Sequence, residues 1–171
     1  LIAYNIPANI FREQFGFEKW KDFDGELWET IKEVSLNKET NYHGNITGSD
    51  NFQKAVRISR ENINNALMKE NIKVTNSDFF ETKITPGTFV IFNPPYGKRI
   101  DLGINDFYEK IGSTLKHNYQ GCTIWLVSSD IENMKLIGLR PSSKIKVMNG
   151  ELECSFREFK VYKGSKKASK Q

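Results

Sequence analysis

An uninterrupted apolar run, Phe89-Val90-Ile91-Phe92, passes directly into Asn93-Pro94-Pro95-Tyr96. Four apolar residues bounded by turn formers predict a buried strand, which must stop at the prolines because they have no N–H to give a ladder. Asn93 to Tyr96 therefore falls at a strand's carboxyl end, where open α/β sheets bind their ligands. There Asn93 offers a side-chain carbonyl, Pro94 a backbone carbonyl stiffened by Pro95, and Tyr96 an aromatic face. Two acceptors and a ring suit a planar group bearing an exocyclic NH2. The recognition problem these residues suit is that of an enzyme acting on an amine of a nucleobase or an amide.

Further elements are needed to position this motif. Asp24 is a candidate N-cap for a helix over residues 25–35 with Leu27, Ile31 and Val34 on one face. A short strand ending at Asp50 precedes a helix marked by Phe52, Val56, Ile63 and Leu67, and Ile72-Lys-Val-Thr alternates as a strand. After the motif, Asn105 or Asp106 is placed to cap a helix carrying Phe107, Ile111 and Leu115, and residues 122–127 form another apolar strand. Residues 131–139 read as helical, closed by Gly138 and Pro141. Two alternating strands around Asn149-Gly150 make a hairpin signature, and residues 163–171 form a basic flexible tail. Strands alternating with helices over residues 1–162 predict an α/β three-layer architecture. Residues 1–11 read as the tail of a helix. The aromatics Phe15, Phe17, Trp20 and Phe23 suit either stacking on RNA bases or anchoring a loop, with anchoring the commoner use of such rings.

Composition narrows the classes. With 171 residues, 38% hydrophobic and 27% charged, the chain is one domain's worth of globular sequence. It has neither a membrane-length apolar run nor a signal pattern, so a cytoplasmic location is expected. A net charge of +4 is compatible with nucleic acid. Cys122 and Cys154 lack metal-ligand spacing and read as buried free thiols, and no metal is expected.

Asn93-Pro94-Pro95-Tyr96 resembles the catalytic motif of S-adenosylmethionine-dependent amino-methyltransferases. The longer run to Arg99 is similar to the RNA methylase family whose THUMP-associated members methylate guanine N2 in 23S ribosomal RNA. Phe15-Gly-Phe-Glu-Lys-Trp20 with Asp24 and Trp28, Gly48-Ser-Asp50, Asn76-Ser-Asp78 and Asn149-Gly-Glu-Leu-Glu-Cys154 follow in the family's order, so the similarity covers nearly the whole chain. The resemblance implies a Rossmann-like methyltransferase fold with sheet order 3-2-1-4-5-7-6. It also implies that the first strand and its glycine-rich loop are missing from an N-terminally truncated fragment, leaving strands 2 and 4 facing a gap. S-adenosylmethionine is the implied cofactor and RNA the implied partner. Asp50 would accept the ribose hydroxyls; its plainer role is to cap the next helix. Asp78 and Phe79 would hold the adenine; the alternative is a polar turn before two core rings. Lys98 and Arg99 are candidates for a substrate phosphate or are ordinary solvated charges. Adenine N6 methylation, protein glutamine methylation and RNA binding without catalysis remain open, because the four-residue motif is shared.

Overall fold

The computed structural model describes residues 1–7, 10–95 and 103–163. The chain forms two compact units, Leu1–Asn76 and Ser77–Gln171.

The first unit opens with a single 3-10 turn, Ile2–Tyr4, instead of the expected helix tail. Asn5 adopts the left-handed conformation (φ 52°), which ends the turn at once. The buried Tyr4 ring meets Tyr42 edge-on, and its hydroxyl receives the Asn71 amide at 2.8 Å. Helix α1, Gly25–Leu36, starts where Asp24 Oδ1 accepts the Leu27 N–H at 2.9 Å, as the cap chemistry requires. Its apolar face is nonetheless exposed among the described residues, at Leu27, Ile31 and Val34. Strand β1 (Ile46–Asp50), helix α2 (Gln53–Asn65) and strand β2 (Ile72–Asn76) make a parallel β-α-β arrangement, in register from Ile46 opposite Ile72 to Asp50 opposite Asn76. Val56 buries the inner face of α2, and the Arg60 guanidinium donates to the Val74 carbonyl at 2.7 Å. That bond caps a carbonyl of the two-stranded sheet.

The second unit contains β3 (Phe89–Phe92), α3 (Ile104–Asn118), β4 (Thr123–Ser128), a 3-10 turn (Asn133–Ile137), β5 (Ser143–Asn149) and β6 (Leu152–Lys160). Its sheet order is β3-β4-β6-β5, with β3 and β4 parallel and the remaining pairs antiparallel. Within each unit the pairings, β1 beside β2 in the first and β3-β4-β6-β5 in the second, are ones expected of a Rossmann-like methyltransferase sheet. Alternate residues of β4, Ile124, Leu126 and Ser128, are fully buried, as period two demands of a strand with one face on a core. The core is completed by Tyr108, Ile111 and Leu115 of α3, by Met134 and Ile137, and by Phe159 of β6. Gly150, at φ 60°, turns the β5–β6 hairpin with Asn149 opposite Leu152.

The second unit departs from the sequence pattern at three places. Strand β3 is not buried on both faces: Val90 and Phe92 pack on the core, while Phe89 and Ile91 are 62% and 63% exposed. Among the described residues of the unit the core lies on the Val90 and Phe92 face, and the alternation of a strand turns Phe89 and Ile91 away from it. Helix α3 begins two or three residues earlier than an Asn105 or Asp106 cap would place it; its N-cap is Gly103, without a side-chain bond, and Asp106 lies in the first turn. Residues 131–139 hold a 3-10 turn closed by left-handed Gly138 rather than a longer helix. Both cysteines are buried and free.

Candidate active site

The parallel pairing of β3 with β4, running from Phe89 opposite Thr123 to Phe92 opposite Leu126, delivers Asn93 to the carboxyl end of β3. Pro94 is buried, whereas Asn93 and Pro95 are exposed. Burial of the first proline anchors the turn while the asparagine side chain stays accessible to a ligand. Tyr96, Lys98 and Arg99 lie outside the described residues.

The Asp78 loop meets the same strand. Asp78 Oδ1 accepts the Phe80 N–H at 2.8 Å, an Asx turn, and the Asp78 carbonyl accepts from the Thr82 N–H and hydroxyl. Phe79 stacks obliquely on Phe92, centroids 4.8 Å apart, and on Tyr119 at 5.1 Å. The ring proposed for the adenine is thus half-buried and also a strut of the core. This contact brings Asp78 and Phe79 beside the residue that precedes Asn93.

Asp50 belongs to the first unit, at the carboxyl end of β1. Its Oδ1 accepts the Phe52 N–H at 2.7 Å, and its carbonyl accepts the Asn76 amide at 2.9 Å. The N-cap of α2 is Phe52, with no side-chain cap bond. Asp50 therefore makes an Asx turn before the helix and does not cap it. A basic cleft lies on the α2 flank of Asn76, lined by Lys54, Arg57 and Arg60 among others, but Asp50 does not line it.

Several participants were not singled out by sequence. Phe52 is 63% exposed, two residues after Asp50, although its spacing had placed it on the helix's apolar face. Asn76 ties the ends of β1 and β2 together, and the motif Asn76-Ser77-Asp78 was the available signal. Tyr119, at the end of α3, donates its hydroxyl to the Phe79 carbonyl at 3.2 Å. Burial, then the neighbouring Cys122 and Asp78, push its phenol up to about 12. The aromatics of residues 15–28 stack on one another around Trp28, the arrangement of a ring-anchored loop, although Trp20 is exposed. Among the described residues no group of His, Cys, Asp and Glu is arranged to hold a metal, and no helix is long and apolar enough to cross a membrane.

A family model described as UPF0020, an RMKL-like methyltransferase domain, matches residues 1–158. The chain is 32% identical over 171 residues to the ribosomal RNA large subunit methyltransferase K/L of Shewanella amazonensis, covering 95% of this chain and 24% of that protein. It is 30% identical over 166 residues to a candidate RNA methyltransferase of Synechocystis sp., covering 95% and 43% respectively. The chain thus spans less than half the length of these relatives. A crystal structure of a possible methylase from Clostridium difficile superposes with a TM-score of 0.80 at 25% identity, covering 96% of this chain and 44% of that one. A candidate methyltransferase crystallised with S-adenosylhomocysteine gives a TM-score of 0.82 at 22% identity, which bears on the fold.

Proposed function

Because the chain belongs to the UPF0020 family of RMKL-like methyltransferase domains, we propose that it carries the amine-recognition part of an S-adenosylmethionine-dependent RNA methyltransferase. Its target is an exocyclic amino group, with guanine N2 of 23S ribosomal RNA as the specific reading. Residues 1–162 act as the C-terminal portion of a methyltransferase catalytic domain, in the cytoplasm where ribosomal RNA is made and assembled. The observation that carries the proposal is an accessible Asn93 beside a buried Pro94 at the carboxyl end of a parallel strand, with the Asp78 loop packed on that strand through Phe79 and Phe92.

Each unit, taken by itself, holds a carboxylate that fits one part of the cofactor's adenosine. Asp50 and Asp78 each use one oxygen to accept a backbone N–H, which fixes the carboxylate. A carboxylate has about four lone-pair sites, so capacity remains for ribose hydroxyls at Asp50 and an adenine amino group at Asp78. The exposed Phe52 ring offers a further apolar face beside Asp50. When bound, the cofactor supplies a methyl group made electrophilic by its sulfonium.

The chain's own contribution is positioning and electrostatics. An aromatic NH2 is a weak nucleophile because its lone pair is delocalised into the ring. The Asn93 side-chain carbonyl and the Pro94 backbone carbonyl accept its two hydrogens, which favours pyramidal nitrogen and stabilises the positive charge developing on it. Tyr96 stacks on the base, which must be unstacked to enter, and Lys98 and Arg99 meet the adjoining phosphates. The surplus proton on nitrogen leaves to water after transfer. The experiment is methyl incorporation from labelled cofactor into ribosomal RNA, followed by nucleoside mass spectrometry. N2-methylguanosine supports the reading; N6-methyladenosine or a methylated glutamine peptide redirects it to the other substrates of the motif; RNA binding without incorporation overturns catalysis.

A further inference from the structure

We propose that Asn118 and Tyr119, the last residue of α3 and its C-cap, are positioning residues that orient the Asp78 carboxylate and so set affinity for the cofactor's adenine; this rests on the role given to Asp78 above. The bonds inside the loop define its shape. Asp78 Oδ1 takes the Phe80 N–H at 2.8 Å, and the Asp78 carbonyl takes the Thr82 N–H at 3.0 Å and the Thr82 hydroxyl at 2.6 Å. A turn held by internal bonds alone is free to swing as a unit about its two ends. What ties it down comes from far along the chain: Tyr119 Oη donates to the Phe79 carbonyl at 3.2 Å, and Asn118 Nδ2 donates to the Phe80 carbonyl at 3.0 Å. The Asn118 carbonyl accepts the Ile84 N–H at 3.1 Å and closes the far end of the loop.

Two consecutive carbonyls next to Asp78 are thereby fixed by two consecutive residues at one helix end. The Phe79 carbonyl shares its peptide plane with the Phe80 N–H, so holding that plane holds the donor to which the Asp78 Oδ1 is bound, and the Asn118 bond holds the next plane behind it. Tyr119 is itself well anchored, being 2% exposed and packed against Phe79 at an interplanar angle of 32°. Its phenol keeps its proton, and so its donor role, throughout the pH range of any assay.

The test uses the enzyme that carries this chain, with Tyr119→Phe removing the hydroxyl and retaining the ring. One neutral hydrogen bond corresponds to about a fivefold effect, so KM for S-adenosylmethionine rises about fivefold while kcat at saturating cofactor changes less than twofold. Asn118→Ala raises KM in the same direction. In an Asp78→Ala background, Tyr119→Phe has no further effect on KM, because both act through one carboxylate. A second readout needs no catalysis: amide hydrogen exchange in the 171-residue chain speeds up at Phe80 and Thr82 with Tyr119→Phe, and stays unchanged at Ile124 and Leu126. Unchanged KM in Tyr119→Phe where Asp78→Ala raises it, additive effects in the double variant, or faster exchange throughout β4 would each overturn the proposal. If Asp78→Ala itself leaves KM unaltered, the premise about Asp78 fails and the proposal falls with it.

Discussion

Replacing Gly112 by alanine sets two effects of opposite sign against each other. Gly112 lies in the middle of α3, where glycine costs about 1 kcal/mol relative to alanine, so helix propensity alone predicts that Gly112→Ala stabilises the protein. The packing predicts the reverse. A Cβ at this position would overlap the carbonyl group of Ile137, with the carbonyl carbon 2.7 Å and the Cα 3.0 Å away. These are backbone atoms of the 3-10 turn that follows β4, and they cannot retreat without dislodging Met134 and Ile137, each 1% exposed. Forcing a methyl group into a filled interior costs about 1–3 kcal/mol in cases where the surroundings relax; contact with rigid backbone belongs at the upper end. Subtracting the propensity gain leaves a net loss of about 1–2 kcal/mol. Urea unfolding followed by tryptophan fluorescence measures it, with Gly16→Ala as control because nothing lies within 4 Å of a Cβ there. Equal or greater stability of Gly112→Ala would refute the argument from close approach.

Asp50→Ala and Asp78→Ala should each weaken cofactor binding by ~1–3 kcal/mol, the range for hydrogen bonds to charged groups, measured by calorimetry on the active enzyme; two variants that bind like the parent would reduce both carboxylates to turn residues. Arg157 is buried and donates to Ser155 Oγ at 3.0 Å and to the Ile131 carbonyl at 3.1 Å, while burial holds its pKa below the usual arginine value. Arg157→Ala leaves that carbonyl without its donor and should cost roughly 2–4 kcal/mol in urea unfolding, hydrogen bond and packed stem together; a change under 0.5 kcal/mol would count against it. The raised phenol of Tyr119 has a linked consequence. Its contribution is fully present below pH 10 and is lost as pH rises through about 12, because the unfolded chain releases the proton first. The parent should therefore lose more stability than Tyr119→Phe over that alkaline window, and parallel pH profiles would contradict it.

Legibility followed how local the determining physics was. The β5–β6 hairpin and the Asp24 cap could be read because their bonds close within a few residues, Asn149 to Leu152 in one case and Asp24 to Leu27 in the other. Asn93 could be placed at a strand end because two prolines cannot continue a ladder. Exposure could not be read in the same way. Phe89 and Ile91 match Val90 and Phe92 in hydrophobicity, and among the described residues what separates them is that Val90 and Phe92 face the core. Leu27, Ile31 and Val34 likewise form an apolar stripe that stays exposed among the described residues. The alternative of Asp50 as a helix cap failed over two residues: the N–H it accepts is that of Phe52, which is itself the N-cap. Tyr119 and Asn118 gave no signal, since the carbonyls they hold lie 40 and 38 residues upstream.

The central claim is that Asn93 recognises the amine that accepts the methyl group. Its most direct test is single-turnover methyl transfer to 23S ribosomal RNA at saturating cofactor, comparing the parent enzyme with Asn93→Ala and measuring cofactor affinity in both. Loss of an acceptor that acts in the transition state predicts a fall of about a hundredfold in rate, ~3 kcal/mol, with cofactor affinity nearly intact. Parental turnover in Asn93→Ala, or a loss traced wholly to cofactor binding, would contradict it.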